Sequence, residues 1–455
     1  MPGPYYDKGK TCRQTFFFKS FKLNPLLGKN KDKRTIIKTL LEINLSLNLR
    51  KLFQYRNCRI LKDHKIYTDD LWVRDGQIVN PEKIFFEEKI LADYQIDCKN
   101  KILAPGFIET QINGAFGVDF SQEETIINGG IGKVCKGLLE QGVTSFCPTV
   151  ITSPSLAYKK ILPFIKTTKG SKDGAGIIGV HVEGPFISKE KKGAHQEELI
   201  QTFDNGFKDL IDMYGDLSNI AIITLAPELH NSQQVIKECV DRGIIVSLGH
   251  SMANLVTGEE AIWNGASYVT HLFNAMLPFH HRDPHLVGLL TSNKLPPDTQ
   301  IYYGIIADGI HTHPAALRIA QRINPEGLVL VTDAIQAMGL PEGKYKFGCQ
   351  QIEIKDNRAT IAGTNTLCGS IVSMDKCVRQ LAKSTECGNV LALETASLHP
   401  AKVLKISNSK GTLDFNTDAD FILLSEDLHI QATFIAGELV WQRSGDVISV
   451  ISRTE

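Results

Sequence analysis

Between Ile102 and Asp333 the chain alternates, eight times over, between short apolar strand-like runs and segments with helical spacing. No other feature of the sequence constrains the fold as tightly. The runs are Ala104–Asn113, Val143–Ile151, Ile177–Pro185, Ile220–Pro227, Ile244–Gly249, Tyr268–Phe273, Ile301–Asp308 and Leu328–Asp333. Between them lie Ser155–Thr167, Ser232–Asp241 and Pro314–Arg322, with apolar residues three and four apart, and glycines such as Gly142, Gly243, Gly265 and Gly327 stand where helices end. Near-continuous apolar strands need cover on both faces, which a parallel sheet clad in helices provides. Eight units predict an α/β protein with a closed (β/α)8 TIM-like barrel rather than an open doubly wound sheet.

The flanks read differently. From Phe53 to Ile102 the texture is β, including a hairpin signal at Asp75-Gly76 between Leu71–Arg74 and Gln77–Val79. A hairpin is expected at Gln351–Ile354 and Ala359–Ile361, then helices at Ile371–Ala382 and Asn389–Lys405. Asp420–Leu424, His429–Ile435 and Glu438–Trp441 return to β texture. The expected organisation is therefore a basic extension over 1–50, poorly ordered apart from a short helix around Arg34–Asn48. A small discontinuous β-sandwich domain follows, from 51–103 and 411–450, around a catalytic barrel at 104–410.

Composition serves mainly to exclude. Lys+Arg and Asp+Glu are equal at 50 each, so no global charge draws the chain to nucleic acid or an anionic membrane. No apolar run approaches the ~18 residues of a membrane span. The basic surplus sits in residues 1–50, with 11 basic and 3 acidic side chains but no compact apolar core of a secretory signal. The 10 cysteines are scattered without a C-x-x-C pair, which suits reduced thiols and a cytoplasmic enzyme.

Barrel enzymes carry their chemistry at the C-terminal ends of the strands. There the third run places His181 and Glu183, the fifth His250, the sixth His271, the seventh Asp308-Gly309-Ile310-His311 and the eighth Asp333. One Glu and two His from separate strands form a sound ligand set for a catalytic divalent ion with one open position. Asp333, on another strand, is placed to handle the proton of a water there. Singly, each has a plainer reading: a buried His bonded within the core, a Glu capping a helix, an Asp supporting a turn. Their coincidence at one barrel mouth favours the metal site. His181, two residues before Glu183, reads as core or support.

The strings LAPGFIETQINGAFGVDF, GVHVEGPFIS with KKGAHQ, SLGHS, THLFNAM and LVTDAIQAMGLPEG together resemble the N-acetylglucosamine-6-phosphate deacetylases of the amidohydrolase superfamily. The likeness runs from about Leu71 to Trp441. It implies a distorted barrel with a small β-sandwich from both chain ends, a homodimer, one divalent metal ion per chain, most simply zinc, and a phosphosugar substrate. It puts the metal on Glu183, His250 and His271, and the catalytic acid/base on Asp333. It makes His195 the residue that polarises the acetamide carbonyl. Ala194, Asn274, Ala275 and the loop Leu367-Cys368-Gly369 match sugar contacts, whereas Arg282 and His311, the latter with Asp308, Gly309 and Ile310 beside it, match the grip on the 6-phosphate, with Arg282 reaching across the dimer. Where many relatives carry His-x-His after the first strand, this chain has Gln111-Ile112-Asn113, and amides are poor ligands beside imidazole. One ion rather than two is expected. A cyclic-amide hydrolase would keep that His-x-His and a carboxylated lysine, and a silent scaffold barrel would have lost a ligand or the acid/base.

Overall fold

A computed structural model describes residues 51–347, 350–364, 367–445 and 447–452. The basic extension and its expected helix lie outside the described residues. The eight barrel strands are Phe107–Ile112, Val143–Ile151, Val180–Glu183, Ile220–Leu225, Ile245–Leu248, Tyr268–Val269, Tyr302–Ile306 and Leu328–Val331. Each pairs in parallel with the next in chain order, and almost all their residues are buried. Apolar side chains on both faces explain the texture. One set packs under the surrounding helices, and another, including Ile108, Cys147, Ile222, Tyr268, Ile306 and Val329, fills the barrel.

No ladder joins strand eight to strand one. Substitutes bridge this seam. At its lower end Ile108 N donates to Ala396 O (2.8 Å) and Leu330 N to Thr395 O (2.9 Å), so a turn is wedged between the strands. At its upper end Asp333 N donates to Gln111 O (2.9 Å) and Asn113 N to Ala334 O (2.8 Å).

That wedge corrects the expected helix Asn389–Lys405, which is two helices, Gly388–Glu394 and Leu398–Val403. Pro400 cannot donate to an i−4 carbonyl and is tolerated only in a first turn, so the helix restarts just before it. The freed Thr395 and Ala396 carbonyls then serve the strands. The expected first run is likewise cut: Tyr94–Pro105 belongs to the small domain, and the barrel begins at Phe107. Gly106 marks the change, since a Cβ there would lie 2.3 Å from Thr144 Oγ1.

The small domain is one eight-stranded sheet from both sides of the barrel sequence. Leu52–Lys62, Lys65–Arg74 and Gln77–Ile78 precede it in the chain; Phe421–Leu424, Ile430–Ile435, Glu438–Gln442 and Ser449–Ser452 follow. The central strand Tyr94–Pro105 pairs in parallel with the first and antiparallel with Phe421–Leu424 and Ser449–Ser452. The hairpin at Asp75-Gly76 forms, both residues having positive φ (53° and 76°). After the eighth barrel strand, the expected two-stranded hairpin is a four-stranded antiparallel sheet, Gly343–Phe347, Gln350–Lys355, Arg358–Ile361 and Leu367–Gly369. Gly327 does not end a helix by a positive φ: it lies in a short 3-10 turn, and a Cβ there would meet Ile301 O at 2.1 Å. Among the described residues no helix is long and apolar enough to cross a membrane.

Candidate active site

Strand three ends on Glu183, and strands five, six and eight deliver His250, His271 and Asp333 two residues past their last paired positions. The last three have φ of 49°, 25° and 46°, a region that side-chain-bearing residues seldom adopt. Such backbones cost about 1–3 kcal/mol each and persist only where neighbours fix them. Here Ser188 N donates to His250 O (2.8 Å), Leu272 N to Gly304 O (2.7 Å), and Asp333 N to Gln111 O (2.9 Å). The turns aim three polar side chains into the barrel mouth instead of along its wall.

Glu183 Oε1 lies 3.1 Å from both His250 Nε2 and His271 Nε2, and the two nitrogens are 3.0 Å apart. All three side chains are buried. His250 Nδ1–H donates to Lys191 O (2.8 Å), which fixes the ring with Nε2 facing the cluster. Although burial pushes Glu183 up, the two imidazoles hold its carboxyl well below the usual range. Burial pulls His271 down, but Glu183 wins and raises it. The cluster therefore favours positive charge where the nitrogens and the oxygen converge, the condition a divalent cation meets. These three residues could hold a metal ion, and among the described residues they are the group whose ligand atoms converge in that way. His181 is not part of it. It sits in the barrel interior with Nδ1–H on Thr110 O (2.9 Å) and Nε2 accepting from Thr224 Oγ1 (2.8 Å).

Gln111 and Asn113 have a role that the sequence did not reveal. Gln111 Nε2 donates to Glu183 Oε1 (3.0 Å) and, at 3.4 Å, to Asp333 Oδ1, while Asn113 Nδ2 donates to Asp333 Oδ1 at 2.7 Å. The amides orient the two carboxylates. Burial, aided by the Glu183 charge, pushes Asp333 up to about 6, against the pull of His271 and Asn113. A carboxylate tuned near neutrality can both accept and return a proton.

His195 comes over this cluster from the loop after strand three. Its ring lies 4.6 Å from that of His250, edge to face, and its Nδ1 shares a hydrogen bond with Thr152 Oγ1 at 2.6 Å. Burial, then the His250 charge, pushes it down to about 3, so the ring is neutral. Thr152, at the end of strand two, carried no sequence signal. Ala194 is exposed beside His195. Asn274 and Ala275 follow His271 closely: Asn274 N donates to His271 O (2.9 Å), and Ser251 N to Ala275 O (3.1 Å). Asp308 Oδ1 accepts from Ile310 N and His311 N (2.8 and 2.7 Å), while Oδ2 takes His311 Nδ1–H at 2.6 Å. Despite burial, Asp308 raises His311, and the Asp333 charge adds to that, which favours the protonated ring. Leu367–Gly369 leads to Ser370, which is bridged to the chain just past Asp333, with Ile335 N donating to Ser370 O (3.0 Å). Arg282 is exposed on the loop after strand six; among the described residues no side-chain hydrogen bond or ion pair engages its guanidinium.

One further acidic side chain carries no signal in the sequence pattern. Glu109, fully buried on strand one, accepts from Gln111 N at Oε1 (2.9 Å) and from Thr332 N at Oε2 (3.0 Å). Burial pushes it up to about 8, and these donors oppose the shift.

The amidohydrolase family model matches residues 102–440. The N-acetylglucosamine-6-phosphate deacetylase of Danio rerio is 57% identical over 401 residues, covering 88% of this chain and 99% of the relative. That of Homo sapiens is 56% identical over 393 residues, covering 86% and 96%. Among solved structures, a variant of the Mycobacterium smegmatis N-acetyl-D-glucosamine-6-phosphate deacetylase in complex with N-acetyl-D-glucosamine-6-phosphate superposes with a TM-score of 0.72 at 25% identity. It covers 86% of this chain and 99% of that one.

Proposed function

The chain belongs to the amidohydrolase family, and on that premise we propose that it hydrolyses N-acetyl-D-glucosamine 6-phosphate to D-glucosamine 6-phosphate and acetate. The observation that carries the reading is the meeting of Glu183, His250 and His271 at one point with Asp333 beside them, both carboxylates held by Gln111. The family is metal-dependent. The donor set, one carboxylate and two imidazoles, suits zinc. A bound divalent ion there would supply Lewis acidity and lower the pKa of water from 15.7 towards about 7.

The protein's own groups do the rest. Asp333 takes the proton of the attacking water as the new C–O bond forms at the acetyl carbon. It returns that proton to the nitrogen as the C–N bond breaks, because an amide anion is too basic to leave unprotonated. His195, its Nδ1 occupied by Thr152, donates Nε2–H to the carbonyl oxygen as charge gathers there. One such donor is worth about 3–4 kcal/mol. Ala194, Asn274, Ala275 and Leu367-Cys368-Gly369 frame the sugar. His311, its protonated ring favoured by Asp308, and Arg282 bind the 6-phosphate through charge-assisted bonds.

Gln111 and Asn113 turn amide hydrogens towards the carboxylates, which supports one ion per chain. A homodimer is supported by Arg282, whose guanidinium has no partner among the described residues, and by the exposed Phe279 (62%) and Met252 (37%) near its loop. The eight described cysteines are free thiols, which favours the cytoplasm. Acetate release from N-acetylglucosamine 6-phosphate and from N-acetylglucosamine tests the function. Fast turnover of the phosphosugar alone is expected, and no release from either would overturn it.

A further inference from the structure

We infer that Glu109 is a positioning residue for the reaction, a carboxylate bracket that closes the barrel seam directly beneath Asp333. The inference rests on the role given to Asp333 above. Strands eight and one share no ladder, and the lower seam is filled by the Thr395-Ala396 turn. Above that turn a side chain spans the gap, with Glu109 Oε2 on Thr332 N across the seam and Oε1 on Gln111 N of its own strand.

Strand one is irregular at this height. Between the pairs Glu109–Phe146 and Ile112–Pro148, two residues, Thr110 and Gln111, oppose the single Cys147, a bulge that aims Gln111 into the mouth. A bulge loses ladder bonds, and here other groups replace them. Thr110 O accepts from His181 (2.9 Å), Gln111 N donates to Glu109, Gln111 O accepts from Asp333 N, and Ile112 N donates to Thr149 Oγ1 (3.0 Å). Glu109 thereby fixes Thr332, the residue before Asp333, whose φ of 46° needs outside support, and Gln111, whose amide touches both Glu183 and Asp333. It is fully buried, and its two carboxyl oxygens face backbone N–H groups of strands one and eight rather than the Glu183–His250–His271 cluster.

Glu109→Gln leaves one oxygen for two N–H groups and sets an amide NH2 against the other. Glu109→Asp keeps the carboxyl group, but one methylene shorter it reaches only one of them. Full-length enzyme is assayed for acetate release with bound metal and melting temperature measured on the same samples. For Glu109→Gln, kcat is expected to fall about 10–100-fold, as displacement of a reacting group by an ångström or less does. KM and metal content should stay near wild type, and Glu109→Asp should lose less. A kcat equal to wild type per metal-loaded chain, with only the melting temperature lowered, would reduce Glu109 to a structural residue. Loss of metal in step with kcat would also overturn the inference, by placing its effect on the ligands. If Glu109→Gln does not fold, Glu109→Asp decides by the same readouts. Absence of acetate release from the wild type would instead strike the proposed function.

Discussion

Asn113→Leu separates proton affinity from geometry at the base. Asn113 donates its amide hydrogen to Asp333 Oδ1 at 2.7 Å, and the bond favours the ionised form. Hydrogen bonds to charged groups contribute about 1.5–3 kcal/mol, and 1.36 kcal/mol moves a pKa by one unit. Asn113 is only half-buried, so water recovers part of the loss and a rise of about one unit for Asp333 is expected. The sign follows directly. Asp333 must be ionised to accept the proton, and burial already holds it up at about 6. Losing a donor favours the protonated acid, so the acid limb of the pH–rate profile moves to higher pH. A bound cation lowers Asp333 in parent and variant alike, so their difference survives metal loading. The assay is kcat/KM for acetate release between pH 5 and 9 on metal-matched samples. At the alkaline plateau the variant should stay within roughly threefold of the parent, since base and ligands are intact. An unmoved acid limb with a depressed plateau would show that Asn113 acts on substrate or geometry, and the tuning argument would fail.

Asp333→Asn should retain metal and substrate affinity but lose about 10²–10⁴-fold in kcat, measured by acetate release; near-normal turnover would remove it as the base. Thr152→Val leaves His195 Nδ1 without its hydrogen-bond partner and should lower kcat about tenfold with KM little changed, an effect a steady-state assay resolves. Arg282→Ala should raise KM for the phosphosugar by roughly tenfold or more and leave the slow reaction of N-acetylglucosamine alone; equal effects on both would exclude a phosphate role.

Much of this was legible in the sequence because burial on both strand faces produces apolar runs that a single polar residue interrupts visibly. Glu183, His250, His271 and Asp333 each stand at the end of such a run, and the structure brings all four together. The groups that hold them were not legible. Thr152 looks like any threonine at a strand end, and the support for His250 from Lys191 is a backbone carbonyl, which every residue has. Glu109 sits inside the run Ala104–Asn113, and only the seam between strands eight and one gives it two N–H partners. Sequence spacing cannot show a missing ladder. The same seam explains the broken helix at Thr395–Ser397, whose turn is recruited by strands distant in the chain. Lys344 and Lys346 obscure the short strand Gly343–Phe347, so its sheet was read as a hairpin only.

Anomalous diffraction from crystals of the zinc-loaded protein, with metal analysis of the same preparation, addresses the central arrangement most directly. One ion per chain is predicted, bound by Glu183 Oε1, His250 Nε2 and His271 Nε2 at about 2.0–2.2 Å, with the Asp333 carboxylate facing its open side. A second stoichiometric ion held through Gln111 or Asn113, or a lone ion bound away from these three atoms, would contradict it.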